Sequence, residues 1–317
     1  DGPHPGRAMT RILITGGAGM VGRALADALP RGDILVTDLA RAGLRDDVRF
    51  RRMDVTGPDP DTVIGDEKPD VVVHLASIVT PPPGMTRDHA FAVDVTGTRN
   101  VLAACIAHRV KRLVVTSSGA AYGYHADNPV PLTEDAPCRG NPEFAYADHK
   151  ARVEAMLADA RRDHPGLEQV VLRVGTVLGA GTDNQITALF RRRWLLAIRG
   201  SDSPFVFIWT RDLARIVERA ATGAPAGVYN VAGDGWMTVD DIARALGKPV
   251  LRLPASALKL ALAVAHPLGL SRYGPEQVRF LQYRPVLDNQ RLKQVFGYTP
   301  ELSSAQVFDL WRREANP

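Results

Sequence analysis

Short runs of consecutive apolar residues alternate with longer stretches of helical periodicity through the first half of the chain. The short runs predict strands and the longer stretches predict helices. The predicted strands cover residues 11–15, 34–38, 48–54, 71–75, 113–117 and 169–174, and the predicted helices cover residues 20–29, 91–108 and 146–162. Strands that are apolar on both faces belong to parallel sheets, and right-handed crossovers put the connecting helices on both sides. The pattern therefore predicts an α/β fold with a doubly wound parallel sheet.

Closely spaced glycines follow the first predicted strand and open the first predicted helix. Residues 15–22 read Thr-Gly-Gly-Ala-Gly-Met-Val-Gly. Gly16 allows a tight turn, Gly19 lets the backbone approach a pyrophosphate, and Gly22 lets the helix pack closely on the sheet. The helix N-terminus offers N–H groups and a positive dipole to phosphates. This context predicts a dinucleotide-binding loop of the Rossmann type.

Acidic residues stand at the ends of the second and third predicted strands. Asp38 ends the second strand, where a carboxylate accepts hydrogen bonds from the ribose of NAD and repels the 2′-phosphate of NADP. Arg41 is close in sequence and would favour NADP, so NAD is the predicted cofactor and NADP stays possible. Asp54 follows the third strand, where it is placed either to meet the adenine or to stabilise a turn.

Tyr146 and Lys150 lie one helical turn apart on the same face of a predicted helix. An ammonium group close to a phenol favours the phenolate, so Tyr146 is a candidate general acid or base. The strand before this helix ends in Thr116-Ser117-Ser118, which supplies a hydroxyl to hydrogen-bond a substrate oxygen. These residues predict proton transfer coupled to the redox chemistry of a bound nicotinamide cofactor.

The pattern changes after about Gly179, where helical segments and short strands are mixed with Gly and Pro. We predict a Rossmann domain that binds NAD over residues 9–180. A smaller, mostly helical substrate-binding region is predicted over residues 181–317, with strands such as 228–231 returning to the main sheet. The residues before Met9 contain no apolar run and are left out of the predicted fold.

The chain resembles the extended short-chain dehydrogenases/reductases, in the NAD-dependent epimerase/dehydratase group. The resemblance covers about the first 180 residues, with the motifs in the family's order. The matching residues are the loop 16–22, Asp38, His74 to Ser77, Asp94 to Asn100, Ser117 to Gly123, Tyr146 with Lys150, and Leu172 to Gly179.

This resemblance implies roles for individual residues. The implied catalytic residues are Ser118, Tyr146 and Lys150, and Lys150 would also bond the nicotinamide ribose. The residues implied to contact the cofactor are Gly16, Gly19, Met20, Val21, Gly22, Asp38, Leu39, Asp54, Val55, Leu75, Ala76, Ser77, Thr116, Tyr146 and Lys150. The residues implied to contact the substrate are Ser77, Ser118, Tyr146 and Thr176. No metal ligand is expected.

The chain departs from the family pattern at three positions. The family often has Asn where Asp94 and Thr176 stand. Members that act on sugar nucleotides usually carry an Arg, which grips the diphosphate, at the position of Phe205. The bidentate phosphate clamp that such an Arg provides is therefore missing there. Arg279 and Arg284 are the remaining candidates to meet an anion.

Three functions are compatible with these residues. The first is an NAD-dependent oxidoreductase that acts on a secondary alcohol or ketone carbon, which Phe205 and the apolar stretch 258–270 favour. The alternative is an NAD-dependent nucleotide-sugar epimerase similar to UDP-glucose 4-epimerase, which the overall family pattern favours. A non-catalytic NAD-sensing protein is disfavoured, because the chain keeps the serine, tyrosine and lysine of the catalytic set.

Composition and charge narrow the range of partners. The net charge of +4 on 317 residues gives little support for nucleic-acid binding. The run 191–193, three arginines, is interpreted as a solvated helix face. The apolar stretch 255–270 is too short to span a bilayer, so no membrane partner is expected. We therefore expect a cytoplasmic enzyme with a small-molecule substrate.

A homodimer is expected from two of the predicted helices. The helices over residues 91–108 and 146–162 each carry an apolar stripe. Members of the family often pair the corresponding helices as a four-helix bundle. The same stripes could instead be core within one chain, so both arrangements stay open at this point.

Overall fold

The computed structural model describes residues 10–29, 34–82, 84–182, 184–271 and 274–315. The residues before Met9, which were left out of the predicted fold, lie outside these ranges. The strands are β1 (Ile12–Thr15), β2 (Ile34–Asp38), β3 (Arg49–Arg52), β4 (Val71–His74), β5 (Arg112–Ser118), β6 (Glu168–Val174), β7 (Thr176–Leu178), β8 (Leu195–Ile198), β9 (Phe207–Trp209), β10 (Gly227–Val231) and β11 (Val250–Leu253).

Helices connect these strands. They are α1 (Met20–Ala28), α2 (Asp59–Glu67), α3 (Arg87–Phe91), α4 (Gly97–Ala107), α5 (Ala145–Asp163), α6 (Gln185–Phe190), α7 (Thr210–Thr222), α8 (Val239–Leu246), α9 (Ala255–Ala265), α10 (Gln277–Gln282) and α11 (Ser304–Ala315). A π-helical turn, Ala92–Thr96, joins α3 to α4, and a 3₁₀ turn, Gly119–Tyr122, follows β5.

Seven strands form one sheet in the order β10-β6-β5-β4-β1-β2-β3. The order reverses at β1, which pairs in parallel with β2 on one side and β4 on the other. This is the doubly wound arrangement, in which the crevice at the carboxyl ends of the strands, beside the reversal point, holds the ligand. The predicted Rossmann fold is confirmed, and β10 is the strand expected to return to the main sheet.

Contacts within the chain define two compact units. Unit 1 consists of the described residues up to Ser117 together with Arg152–Leu172 and Leu213–Val228. Its core joins apolar residues of the strands to one face each of α2, α4 and α5, and contains Leu13, Leu35, Val72, Leu113, Val101, Cys105 and Leu157. The apolar stripe of α4 therefore packs largely inside its own chain.

Unit 2 consists of Ser118–Ala151, Arg173–Asp212 and the described residues from Tyr229 onward. An aromatic cluster dominates its core, with Phe190 edge-on to Phe205, Phe308 and Trp311. Besides helices it contains two parallel strand pairs, β7 with β9 and β8 with β11. The predicted division at residue 180 into an NAD-binding domain and a substrate-binding region concerns ligand binding and stays a prediction.

One helical run passes a length and composition test for a membrane span. The run Arg87–Ala107 joins α3, the π-helical turn and α4, and its most apolar 18-residue window has a mean hydropathy of 1.2 and is half buried inside the structure. Buried core helices of globular domains pass the same test, so the run is weak evidence for a span.

Candidate functional site

The glycine loop is packed too tightly for side chains. Gly16 has a φ of +65°, and a Cβ there would lie 2.6 Å from the backbone nitrogen of Ala76. A Cβ on Gly22 would lie 2.4 Å from the Cα of Gly17. The first contact brings the loop against the end of β4, and the second brings α1 against the loop. Gly16 therefore has the turn role that the spacing predicts, whereas the close contact of Gly22 is with the loop and its predicted packing on the sheet stays a prediction.

The N-terminus of α1 is free of side-chain caps. Gly19 is the N-cap residue and has no side chain to bond the first N–H groups of the helix. A Cβ added to Gly19 would meet only the carbonyl oxygen of Gly16, at 3.2 Å, among the described residues. Open space above uncapped N–H groups is what a pyrophosphate needs at a helix N-terminus. Met20 and Val21 are thus suited to hold the phosphates of a dinucleotide, whereas the backbone N–H of Gly19 donates to the carbonyl oxygen of Gly16 at 3.2 Å.

Asp38 ends β2 and is half-buried beside the loop. Its Oδ2 accepts a hydrogen bond from the backbone nitrogen of Ala18 at 3.0 Å, and its Oδ1 accepts one from that of Leu39 at 2.7 Å. Each carboxylate oxygen has a second lone pair for a ribose hydroxyl. The Asp38 carboxylate can therefore accept from a ribose and also stabilises the glycine loop. Sequence spacing alone does not reveal the second role.

The guanidinium of Arg41 is bonded to backbone carbonyls of its own loop, which disfavours a role as a phosphate ligand. Its Nη2 donates to the carbonyl oxygens of Arg45, Asp46 and Val48 at 2.8, 2.8 and 3.0 Å. Three carbonyl acceptors on one guanidinium nitrogen stabilise the loop between β2 and β3. This arrangement removes the main argument for NADP.

We expect NAD to bind more tightly than NADP, because the Asp38 carboxylate repels a 2′-phosphate. Calorimetric titration of both cofactors measures the ratio of the two dissociation constants. Asp38→Asn should shift that ratio at least about tenfold towards NADP, since a full charge repulsion is worth more than about 1.4 kcal/mol. Arg41→Ala should leave it unchanged. Equal or tighter binding of NADP by the parent protein would contradict this assignment.

Asp54 stabilises a turn after β3. Its Oδ1 accepts hydrogen bonds from the backbone nitrogen and the hydroxyl of Thr56, at 2.9 and 2.7 Å, and these bonds lower the pKa of Asp54. The backbone nitrogen of Asp54 is itself bonded to Asp59 at 2.8 Å. The turn interpretation of Asp54 is therefore present in the structure, and a contact of Asp54 or Val55 with adenine stays a prediction.

The segment after β4 is held by a buried carboxylate. The Oδ1 of Asp94 accepts hydrogen bonds from the hydroxyl of Ser77 and from the backbone nitrogen of Ile78, both at 2.8 Å. Asp94 is 2% exposed and lies in the π-helical turn, a local distortion that is frequent at functional sites. Aspartate stands here where the family often has Asn, and it still provides the hydrogen-bond acceptor that positions the segment of Leu75, Ala76 and Ser77.

A chain of hydroxyl and imidazole groups runs beneath the glycine loop. The ring of His74 bonds the hydroxyls of Thr15 and Thr98, at 2.7 and 2.9 Å, and is buried. Thr116 donates from its hydroxyl to the carbonyl of His74 at a long 3.5 Å. These contacts tie the ends of β1, β4 and β5 to α4. Sequence spacing did not point to Thr15 or Thr98.

Ser118 is the last residue of β5 and the N-cap of the 3₁₀ turn. Its Oγ accepts a hydrogen bond from the backbone nitrogen of Ala120 at 3.2 Å, and donates to the carbonyl of Val174 at 3.4 Å. The long donor contact means that the hydroxyl proton can turn towards another oxygen at little cost. Ser118 is half-buried, so the hydroxyl is positioned but not sealed in.

A buried polar network supports this turn from below. The hydroxyl of Tyr122 donates to Asn230 at 2.8 Å, and Arg173 donates to that hydroxyl at 2.8 Å and to the carbonyl of Glu134 at 2.9 Å. Burial raises the pKa of Tyr122, which therefore stays a neutral donor. Tyr122 is the last residue of the turn and Arg173 precedes Val174, whose carbonyl accepts from Ser118, so the network positions the turn and its surroundings.

Tyr146 and Lys150 lie in the first turns of α5. The Nζ of Lys150 is 5.6 Å from the centroid of the Tyr146 ring. Lys150 is 5% exposed, whereas Tyr146 is half-buried. The helix therefore brings the ammonium to the phenol as the spacing predicts, and puts it where water is largely excluded. Ser118, Tyr146 and Lys150 all belong to unit 2, while the glycine loop and Asp38 belong to unit 1.

Phe205 and Arg284 form a stacked pair in unit 2. The guanidinium carbon lies 3.8 Å from the centroid of the Phe205 ring. Nε and Nη2 of Arg284 donate to the carbonyl oxygen of Ser203, at 3.1 and 2.6 Å. Removal from water lowers the pKa of Arg284 to about 9. One ring face and two donors of this cation are thus already occupied.

The other candidate residues for an anion or substrate already have hydrogen-bond or ionic partners within the chain. Arg279 forms an ion pair with Glu143 at 3.1 Å. Thr176 begins β7 and donates its backbone nitrogen to the carbonyl of Val206 at 3.2 Å. In the part of the chain that the structure describes, no group of three or more His, Cys, Asp and Glu side chains could hold a metal ion.

Comparison with known proteins places these features in a family. The profile of the NAD dependent epimerase/dehydratase family matches residues 12–232. An uncharacterized protein of Mycobacterium tuberculosis (strain ATCC 25618 / H37Rv) is 26% identical over 311 residues, which cover 94% of this chain and 82% of that protein. UDP-glucose 4-epimerase of Azospirillum brasilense is 34% identical over 218 residues, which cover 62% of this chain and 61% of that protein.

Solved structures share the fold. The Bordetella bronchiseptica enzyme WbmG in complex with NAD and UDP has a TM-score of 0.72 and 23% identity, over 98% of this chain and 95% of that chain. UDP-glucose 4-epimerase of Thermotoga maritima, solved with UDP-glucose, has a TM-score of 0.73 and 20% identity, over 97% of this chain and 99% of that chain. The family profile covers most of the chain, and its description confirms NAD as the predicted cofactor. The chain belongs to the NAD dependent epimerase/dehydratase family.

Proposed function

We propose that this protein is an NAD-dependent oxidoreductase that acts on a secondary alcohol or ketone carbon of a substrate without a nucleoside diphosphate. The observation that carries the proposal is the stacking of Arg284 on Phe205. Phe205 stands where nucleotide-sugar enzymes resembling this chain have an arginine. Arg284 spends its Nε and Nη2 donors on the Ser203 carbonyl, which occupies the side-on fork that grips a diphosphate, and Arg279 is paired with Glu143.

The residues of the proposed catalytic set have separate tasks. Tyr146 as phenolate takes the proton of the substrate hydroxyl, and in the reverse direction neutral Tyr146 returns it to the forming alkoxide. Ser118 donates a hydrogen bond to the same oxygen, where negative charge develops. Lys150 keeps the phenolate favourable through its positive charge, since its Nζ lies 5.6 Å from the ring. NAD, when bound, supplies the hydride chemistry at the substrate carbon.

Unit 1 supplies the proposed cofactor-binding groups. The uncapped N-terminus of α1 would hold the pyrophosphate, and Asp38 would accept from the adenine ribose. Asp94 accepts hydrogen bonds from Ser77 and Ile78 and so positions the segment that follows β4. In this proposal Lys150 would also bond the nicotinamide ribose, as in the proteins that the chain resembles.

A nucleotide-sugar epimerase is the second candidate, and the sequence comparisons favour it. UDP-glucose 4-epimerases of Azospirillum brasilense and Lactobacillus helveticus are 34% and 33% identical to this chain over 218 and 184 residues. These matches cover 62% and 56% of this chain. The relatives that match 94% of it are uncharacterized proteins, so the resemblance to epimerases is supported for the shared part.

The two candidates differ in whether reduced cofactor accumulates. The purified protein is incubated with NAD and either a panel of secondary alcohols or UDP-sugars, and nicotinamide absorbance and sugar configuration are followed. We expect net NADH formation with an alcohol and no change of UDP-glucose. Conversion of UDP-glucose to UDP-galactose without net NADH, or tight binding of UDP in calorimetry, would assign the protein to the epimerases.

We also propose a homodimer with a cytoplasmic location. The support is the apolar character of α4 and α5, although the structure already uses much of it within the core. Phe91 of α3 and Met156 of α5 pack against this core and remain only partly buried. Light scattering at micromolar concentration should report twice the chain mass of 34.4 kDa. A mass equal to one chain would contradict the dimer.

A further inference from the structure

Helix α9 is apolar over most of its surface and yet largely exposed. Nine of its eleven residues are apolar, and Leu258 is its one buried residue. Leu260 is 69% exposed, and Leu268 and Leu270, just after the helix, are 65% and 78% exposed. A helix that is apolar all round belongs in a core or in lipid, and an exposed apolar patch marks an interaction site.

This helix belongs to a lobe formed by residues 185–201, 239–271 and 274–282, which we call the basic lobe. It contains the strands β8 and β11 with the helices α6, α8, α9 and α10. Ile198, Leu258 and Val278 form the small core beside α9, whereas α6 and α8 pack into the aromatic cluster of unit 2. At most one residue per turn of α9 packs against this core, so the other faces of the helix do not contact it.

The basic lobe has a strong excess of positive charge. Its described part contains nine basic residues, namely Arg191, Arg192, Arg193, Arg199, Arg244, Lys248, Arg252, Lys259 and Arg279. Its acidic residues are Asp240, Asp241 and Glu276. The excess of six exceeds the net charge of +4 for the whole chain, so the remainder of the chain is acidic on balance. The positive charge is therefore concentrated on the lobe that carries the exposed apolar helix.

The first three arginines do not form the helix face that was predicted for them. Helix α6 ends at Phe190, Arg191 is its C-cap residue, and all three are exposed in the turn that leads to β8. Trp194 follows them and is 53% exposed. Exposed arginine and tryptophan next to each other are typical of surfaces that meet the headgroup region of a bilayer.

Two apolar surfaces could cover α9, namely a second copy of the chain and a lipid membrane. The charge of the basic lobe decides between them. In a symmetric contact with a second copy, the same patch faces itself, so two lobes with an excess of six positive charges each would be opposed. Within the lobe, Asp240 and Asp241 already pair with Arg252 and Arg244, and offer no surplus negative charge. An anionic lipid surface supplies both the apolar phase and the counter-charge.

We propose that the segment Ala255 to Leu270 docks this protein on the surface of an anionic phospholipid membrane. Leu260, Val264 and Leu268 enter the boundary between headgroups and acyl chains, while cations of the basic lobe meet the lipid phosphates. The segment lies on the membrane and does not cross it. The expectation of no membrane partner rested on its insufficient length for a span, and lying on a surface requires no such length.

Sedimentation with vesicles tests the proposal. The full chain is mixed with vesicles of phosphatidylcholine alone or with about 30% phosphatidylglycerol, a content that gives an appreciable negative surface potential. The parent protein should partition at least about tenfold more strongly onto the anionic vesicles, and high salt should weaken the binding. Leu260→Ser with Leu268→Ser should lower partitioning at least about tenfold, because two exposed leucines lose their burial in lipid.

Matched variants separate this surface from general effects. Val295→Ser removes a comparably exposed apolar side chain, 55% exposed, outside the lobe and should leave partitioning unchanged. Lys259→Glu should weaken partitioning about tenfold, since it reverses one charge near the surface, whereas Lys68→Glu in unit 1 should not. Circular dichroism checks that all variants fold as the parent does.

Three results would overturn the proposal. They are absence of the parent protein from the anionic vesicle pellet, equal partitioning of the double leucine variant, and equal binding to phosphatidylcholine alone. Light scattering provides the remaining outcome: if the parent is a dimer that the double leucine variant dissociates, and no vesicle binding occurs, the surface is a contact between copies and the lipid assignment is wrong.

Discussion

Tyr146→Phe is expected to lower turnover at least about a hundredfold while the protein folds and binds NAD nearly as well as the parent. The substitution keeps the ring and its packing but removes the only group in the proposed mechanism that carries the proton. General acid–base assistance contributes about two to four powers of ten in rate, which sets the lower bound. Turnover of any accepted substrate, followed by nicotinamide absorbance, is the measurement.

Two further variants make the result specific. Tyr298→Phe also removes a phenol hydroxyl, which bonds Asp212 at 2.7 Å, and should lower thermal stability while leaving turnover intact. Lys150→Ala should lower both turnover and NAD affinity, because Lys150 is proposed to favour the Tyr146 phenolate and to bond the nicotinamide ribose. If Tyr146→Phe works at the parent rate, the assignment is wrong and the non-catalytic NAD-sensing interpretation must be reconsidered.

Gly16→Ala is expected to weaken NAD binding at least about tenfold and to lower the midpoint of thermal unfolding. Two effects combine, since alanine at a φ of +65° costs about 1–2 kcal/mol. The new methyl group would also lie 2.6 Å from the backbone nitrogen of Ala76. A backbone atom cannot turn aside as a side chain can, so the loop or the end of β4 must shift. Calorimetric titration with NAD measures the consequence for the cofactor.

Gly247→Ala is the matched control for this prediction. Gly247 has nearly the same φ, +64°, but a methyl group added there would meet no heavy atom of the described residues within 4 Å beyond its own chain neighbours. It should therefore show the conformational cost alone, as a modest loss of stability, with NAD affinity unchanged. Equal NAD affinity in Gly16→Ala and the parent would show that the loop does not contact the cofactor.

The fold was predictable because its signals are local and repeated. Apolar runs of strand length, separated by helical stretches, predicted six strands of the doubly wound core, and five of them lie within one residue of their predicted bounds. The third strand is shorter than predicted, Arg49–Arg52, because Asp54 leaves the sheet for a turn with Thr56. Edge strands with polar sequence have weak periodicity, so their ends depend on such turns.

The candidate site was only partly predictable. Spacing placed the glycines between β1 and α1 and put Lys150 one turn from Tyr146, since both relations follow from helix and loop geometry. It did not indicate that Arg41 binds carbonyls of its own loop, nor that Asp94 holds Ser77. A side chain's partner depends on which conformer the surrounding backbone permits. The functional roles of the catalytic residues stay predictions.

The sequence by itself determined the sheet, the glycine loop, the tyrosine–lysine pair and the family, because each depends on residues close together or on a regular period. Only the tertiary structure decided that Arg284 stacks on Phe205 and bonds Ser203, which stands 81 residues away in the chain. It also decided that α9, apolar enough for a core, lies exposed. Both outcomes depend on what packs against a residue across long sequence separation, and no local pattern contains that information.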